Sequence, residues 1–394
     1  MRICYICSDP GVPVFGRKGC STHVRETCLT LIEMGHDLRL ICANIEGDDD
    51  ERDLIPIVKV DPPRSRKLGF DLRHAIADRR VERAAERLFG RWRPEAIYER
   101  YSLYSRAGTR LAHRYGLPHL LEVNSVMTRE QKERIKLGPL ARFIERRIFS
   151  RARHVAILSE PLRGEVIARR GHGRAITRMP MAVNLNRFSP EVDGAPVREK
   201  LRLGERFAIG YLGTLTEWHG ISMLHDLART LDERGASDCV ILVVGGDDRR
   251  VEAHRQKVAE RGYEDTLRFI GPVAHREAPA YLRAMDVALV PDTTYWSSPA
   301  KLFEYQGCGV ASIAPRYPAV LTAMDHGVEG LIFEPNEVEQ LADMVLLLRA
   351  NPELRLEMGR RARARAERDH SWESHARGVI EIFKGQRRGD AAAA

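Results

Sequence analysis

A chain of 394 residues is about twice the length of a typical single domain and argues for two cores. With 43% hydrophobic and 30% charged residues it falls among globular chains, outside the disordered and collagenous classes. The formal net charge of +8 favours an anionic partner, whether nucleic acid, an acidic membrane surface or a phosphorylated ligand, and does not choose among them. The seven cysteines are an odd number scattered through apolar runs, which reads as a reducing compartment rather than a disulfide framework. Cys4 and Cys7 have redox or metal spacing, yet residues three apart in a strand point to opposite faces, so packing is the expectation. The first apolar run breaks at Ser8-Asp9-Pro10, too short for a secretion signal, and no later run approaches a membrane span. A cytoplasmic protein is expected.

Ile3 to Ile6 reads as a buried strand. A loop with Gly11, Gly16 and Gly19 leads to a helix capped by Ser21, with Val24, Cys28, Leu31 and Ile32 on one face and Gly35 at its end. With Leu38 to Cys42 as the next strand, the chain opens on a βαβ unit, the building block of a doubly wound parallel sheet. Strand-like runs at residues 96–98, 119–123 and 155–158 then alternate with helical patterns at 105–115 and 129–153. Pro190, Gly194, Pro196 and Gly204 dissolve the pattern and mark residues 186–205 as a linker. A second α/β unit follows, with strands at 207–212, 240–244, 267–270, 287–290 and 311–314.

Three strand-to-helix loops carry chemistry. In the first, Gly16, Arg17, Lys18 and Gly19 precede the first helix, where free amides and the helix dipole favour a phosphate, although the glycines also serve a plain turn. In the second, Gly213 to Gly220 repeats that geometry with Thr214 and His219. In the third, Ser298-Pro299-Ala300-Lys301 opens a helix whose first turn holds a cation suited to a diphosphate. Lys301 and Glu304 are also spaced as an ordinary surface ion pair.

These residues resemble the retaining GT-B glycosyltransferases of family four, the glycosyl transferases of group 1. The resemblance covers nearly the whole chain and is strongest from Phe207 to Pro335. Gly213 to Gly220 is similar to the loop that contacts the donor diphosphate. Residues 268–273, ending at Val273, are similar to the strand and loop that meet the base, and residues 284–291 to the strand before the signature. Residues 301–309 match the signature helix, and Glu304 falls on the second glutamate of the family's pair, which implies contact with ribose hydroxyls. Ser298 and Pro299 belong to the same motif, Ser298 being placed to bond the sugar or phosphate.

The implied fold is α/β, two Rossmann-like doubly wound domains facing across a cleft. Residues 1–185 would bind the acceptor, joined by a terminal helix at 372–386, and residues 206–371 the nucleotide sugar. Two departures stand out. Trp296 replaces the first glutamate of the pair, and Thr214 and His219 replace the usual Arg and Lys of the diphosphate loop, which leaves Lys301 to supply the cation.

In the first domain Asn124 stands where many relatives carry a histidine near the reacting sugar. An amide bonds a sugar hydroxyl but moves no proton at neutral pH, so Glu122, two residues back on the same strand face, is the candidate acid or base, the alternative being a capped strand end. Residues 129–153 interleave nine basic side chains with Leu137, Leu140, Phe143, Ile144 and Ile148. Such a face suits anionic lipid beside a lipid-linked acceptor, on the inner face of a membrane, or is the solvated side of a core-packed helix. The histidines show no metal-ligand spacing, so no metal and no cofactor beyond a nucleoside-diphosphate sugar co-substrate is expected.

The reaction expected is sugar transfer to an acceptor hydroxyl with retention. A nucleotide-sugar epimerase of the same architecture and a non-catalytic nucleotide-sugar-binding relative are the alternatives. Nucleic-acid binding is disfavoured because no aromatic stacking platform accompanies the basic residues, and a dehydrogenase because no G-x-G-x-x-G follows a strand.

Overall fold

The computed structural model describes residues 1–16, 18–47, 51–63 and 69–393. The chain divides into two compact units, Met1–Pro180 with Trp372–Ala394, and Met181–Ser371.

The first unit runs β1 (Arg2–Cys7), α1 (Gly19–Glu33), β2 (Asp37–Cys42), β3 (Ile57–Lys59), α2 (Phe70–Arg91), β4 (Ala96–Arg100), α3 (Ala107–Tyr115), β5 (His119–Val123), α4 (Met127–Glu130), α5 (Gly138–Arg151), β6 (His154–Ile157), α6 (Pro161–Arg170) and β7 (Ile176–Arg178). Its seven strands are all parallel in the order β3-β2-β1-β4-β5-β6-β7. A parallel strand covered by helices on both faces needs an unbroken apolar run, which β1 has. Cys4 and Ile6 pack with Val81, Ala85 and Leu88 of α2, whereas Tyr5 and Cys7 face Val24 and Cys28 of α1. The two cysteines thus serve opposite cores. Burial pushes both thiols up, away from the reactive thiolate.

Two helix expectations are corrected. Helix α1 starts at Gly19 with the extended Lys18 at its N-cap, so Ser21 lies buried inside the first turn and caps nothing. Residues 129–153 are two helices, not one, because the Asp71 carboxylate on α2 accepts the amides of Lys136 (3.1 Å) and Leu137 (3.2 Å) and pins the intervening turns.

The second unit runs α7 (Ala195–Lys200), β8 (Phe207–Leu212), α8 (Ile221–Glu233), β9 (Cys239–Val244), α9 (Asp248–Arg261), β10 (Leu267–Gly271), α10 (Ala278–Arg283), β11 (Val287–Leu289), α11 (Ala300–Gly307), β12 (Ser312–Pro315), α12 (Pro318–Leu321), β13 (Gly330–Phe333), α13 (Val338–Ala350) and α14 (Pro352–Asp369). Its six parallel strands are ordered β10-β9-β8-β11-β12-β13. Residues 186–205 pack into this unit rather than spanning free between two. Phe188 is buried, and a Cβ on Gly194 would come within 2.4 Å of the Arg283 carbonyl carbon. Helix α15 (Trp372–Ala393) then returns to the first unit, where Ala376, Val379 and Phe383 complete the core that holds Tyr5. Among the described residues no helix is long and apolar enough to cross a membrane.

Candidate active site

In an open parallel sheet, ligands bind beyond the carboxyl ends of the strands where the winding reverses. In the second unit that point lies between β8 and β11. The loop after β8 and the loop before α11 meet there, since a Cβ on Gly220 would touch Asp292 at 2.8 Å. Gly213 has φ +152°, and a Cβ there would meet Lys301 Cε at 3.1 Å, so only glycine lets the loop approach the lysine.

Lys301 is the second residue of α11 and is buried. Its ammonium donates to His219 Nδ1 (3.0 Å) and to the Tyr211 hydroxyl (3.3 Å), and lies 4.5 Å from the centre of the Tyr211 ring. Burial, offset in part by Glu304, lowers its pKa to about 7. His219, in the place of a usual basic residue of the diphosphate loop, supplies no charge of its own: burial and the facing Lys301 lower it to about 3, so it is a neutral acceptor that holds the lysine. Trp218, half exposed, stacks on the His219 ring at 3.7 Å between centroids. Thr214 is exposed, and its carbonyl accepts the Tyr211 hydroxyl (2.7 Å), which fixes the ring beneath the lysine.

Among the described residues Lys301 and Glu304 form no ion pair, so the surface-pair reading of their spacing fails. Glu304 instead lies 3.7 Å from His275 Nε2, and Arg187 Nη1 is 3.1 Å from the other ring nitrogen. A guanidinium only donates, so Nδ1 of His275 accepts and Nε2 carries the hydrogen towards Glu304. Neither Arg187 nor His275 was singled out in the sequence, although His275 lies two residues beyond Val273 in the loop after β10. Pro299 is the buried N-cap of α11, and Ser298 Oγ accepts the Met181 amide at 3.3 Å.

In the first unit Glu122 is enclosed. Its carboxylate accepts Arg100 (2.8 Å), Asn124 Nδ2 (2.6 Å) and the Tyr98 hydroxyl, with His23 Nδ1 at 3.5 Å. Burial pushes the carboxyl up, but His23, Arg100 and Tyr98 together hold it below the usual range. A carboxylate kept ionised and fully engaged is a poor acid and a poor base, which corrects the catalytic expectation for Glu122. Asn124 keeps a buried Oδ1 with no partner among the described residues and is the free hydrogen-bonding group at this strand end. His23, Glu122 and His375 bring ligand-type atoms within 4.8 Å of one another, a cluster that residue spacing did not reveal. Arg100 already supplies the counter-charge of that carboxylate. Gly16 closes a turn onto the Pro13 carbonyl (2.9 Å), and Lys18 and Gly19 are exposed at the start of α1. Arg17 lies outside the described residues.

The family described as "Glycosyl transferases group 1" matches residues 206–351, and a "Glycosyl transferase 4-like domain" matches residues 18–182. The chain belongs to the group 1 glycosyltransferases. The first family match contains Gly213, His219, Lys301 and Glu304, the residues brought together at the winding reversal. Curated relatives include a D-inositol 3-phosphate glycosyltransferase of Corynebacterium jeikeium, 27% identical over 53% of this chain and 52% of the relative. A GDP-mannose-dependent alpha-(1-6)-phosphatidylinositol monomannoside mannosyltransferase of Mycolicibacterium smegmatis is 26% identical over 63% of this chain and 66% of the relative. The match thus spans between half and two thirds of these relatives. The fold is shared with Anabaena HepE solved with UDP (TM-score 0.76, 16% identity, 98% of this chain and 100% of that one). It is shared too with a sucrose-phosphate synthase of Thermosynechococcus elongatus (TM-score 0.77, 19% identity, all of both chains).

Proposed function

We propose that this group 1 glycosyltransferase moves a sugar from a nucleoside-diphosphate sugar to an acceptor hydroxyl with retention, in glycan or glycolipid synthesis. The second unit holds the donor and the first the acceptor. The observation that carries the reading is the Lys301 ammonium, held by His219 and Tyr211 against the Gly213 loop at the start of α11. The cation and the free amides there stabilise a departing diphosphate. The C1–O bond to the diphosphate breaks with its electron pair going to phosphate, the acceptor oxygen bonds to C1 from the same face, and the acceptor proton passes to the departing phosphate oxygen. That path needs no protein nucleophile, in keeping with the enclosed Glu122. Glu304, steadied by His275, takes the ribose hydroxyls. Relatives named for inositol phosphate and phosphatidylinositol mannoside acceptors support a phosphorylated or lipid-linked acceptor, with the basic segment 129–153 against anionic lipid.

The first experiment is a thermal-shift screen with UDP-, GDP-, ADP- and TDP-sugars, since a ligand at a hundred times its Kd adds about 2.7 kcal/mol. Stabilisation by none of them would overturn the reading. Glu304→Ala should then weaken the selected donor by about 2 kcal/mol with the fold intact, the worth of hydrogen bonds to a charged group. Unchanged affinity in a calorimetric titration would remove the ribose role.

Donor affinity should also depend on pH in one direction. Free Lys301 loses its proton as pH rises through about 7, and a bound diphosphate restores it. Affinity for the nucleoside-diphosphate sugar should therefore fall with rising pH by up to about tenfold per unit, while that of the uncharged nucleoside stays level. Proton uptake at pH 8, measured by calorimetry in buffers of different ionisation enthalpy, checks the sign.

A further inference from the structure

Helix α5 carries an arrangement that sugar transfer does not explain. One of its faces is packed: Ala141 and Ile144 join Leu103 and Tyr104 in a small core, and Glu145 accepts Tyr101, Thr128 and Arg169. The adjoining face holds Leu140, Phe143, Arg147 and Arg151, spaced at three- and four-residue steps that place them in one row. Leu140 is 45% and Phe143 58% exposed, and Leu137 at the N-cap is 52% exposed, so the first half of the row is a bare apolar strip. The second half is cationic. Neither the Arg147 nor the Arg151 side chain has a hydrogen-bond or ion-pair partner among the described residues.

Those two arginines line a cavity of about 170 Å3 together with Ile148 and with Arg106, Thr109 and Arg110 at the start of α3. One water needs roughly 10 to 15 Å3 by the same measure, so a phosphate group fits. Arg110 is balanced, with Asp78 at 2.9 Å and Glu82 at 2.7 Å. Arg106 is not. Its Nε is buried without a hydrogen bond, 3.9 Å from Asp78. Burial and the nearby Arg110, Arg79 and Arg147 outweigh Asp78 and depress its pKa. Four arginines around one cavity, set against Asp78 and Glu82, leave an excess of positive charge that suits an anion.

We infer that the cavity between α3 and α5 binds the phosphate of an anionic phospholipid while Leu140 and Phe143 enter the acyl region beside it. The charge selects the headgroup and the adjoining apolar strip selects a lipid over a soluble phosphate. Phe143 and Arg147 are one helical turn apart on the same row, so tilting the N-terminal end of α5 into the bilayer sets the phenyl ring about 5.4 Å along the axis beyond the guanidinium. The choice of a lipid as partner rests on the lipid-side reading given above. The test does not, because it uses neither donor nor acceptor.

Flotation of the full chain with phosphatidylcholine vesicles, with and without phosphatidylglycerol, is the primary measurement. Binding should require phosphatidylglycerol and fall with added salt. Arg147→Glu with Arg151→Glu should weaken it by on the order of tenfold or more. Leu140→Ser with Phe143→Ser should weaken it as well, while leaving intact the thermal stabilisation by glycerol 3-phosphate that the arginine variant loses. All four substituted residues are exposed, and circular dichroism checks the fold of each variant. No binding by the wild type, or equal binding by the arginine variant, overturns the inference. Stabilisation by glycerol 3-phosphate without vesicle binding assigns the cavity to a soluble phosphate and also overturns it. Vesicle binding that survives in a protein with no transferase activity leaves this inference standing and removes only the reading of the reaction.

Discussion

Lys301→Met should lower turnover on the order of a hundredfold, equivalent to about 2.7 kcal/mol in the transition state, while changing nucleoside affinity little. The methionine keeps the stem over the Tyr211 ring and removes the ammonium at the Gly213 loop. The same substitution should raise thermal stability at neutral pH. Unfolded, the lysine titrates near 10.5, and folded near 7, so the native state binds fewer protons between those values and wild-type stability climbs with pH across that window. The variant should lack the climb. Lys301→Arg should recover part of the turnover, since its charge does not titrate there but its fork does not match the pocket built by His219 and Tyr211. Full turnover by Lys301→Met would place the stabilisation of the leaving group elsewhere.

The largest loss of stability is expected from Glu122→Ala. It would leave Arg100 as a buried charge without its carboxylate and would strip the Tyr98 hydroxyl and the Asn124 amide of their acceptor. Removing one partner of a buried pair costs about 3 to 5 kcal/mol. Urea unfolding should show the loss in the transition that belongs to the first unit. Glu122→Gln keeps an acceptor oxygen and should be intermediate. Wild-type stability in Glu122→Ala, joined to lost turnover, would return this carboxylate to the chemistry.

Both residues stand out in the sequence, Lys301 already as the cation for a diphosphate, whereas the structural partnership of Glu122 does not. The strands were legible because helices cover both faces of each sheet and burial demands the unbroken runs seen at Ile3–Ile6 and Phe207–Leu212. The loops were legible because a strand that hands over to a helix at a ligand needs glycine, as Gly213 and Gly220 show by their positive φ. Partnership is what local pattern does not carry. His219 stands where a cation was expected, and only contact with a lysine 82 residues away turns it into an acceptor. Glu122 looked available until Arg100, 22 residues back, and His23 of α1 closed over it. The break in the basic segment is set from Asp71, 65 residues upstream of the amide it caps. Helix α2 escaped the sequence reading because arginines crowd its sequence and leave a narrow apolar stripe at Ala77, Val81, Ala84, Ala85 and Leu88.

The last helix of the chain belongs to the unit that begins it, and this sets an order for biosynthesis. Residues 181–371 are contiguous, so they can close their own core as soon as they leave the ribosome. The first unit emerges earlier but has to wait, because Ala376, Val379, Ile380 and Phe383 must arrive before the cover begun by α1 over the side of the sheet that holds Ile3 and Tyr5 is complete. During that interval, at translation rates of about 5 to 20 residues per second, the nascent first unit displays an apolar sheet face for tens of seconds or less. A stop codon at Trp372 would make the exposure permanent, yielding a chain that aggregates through its beginning although only its end is missing.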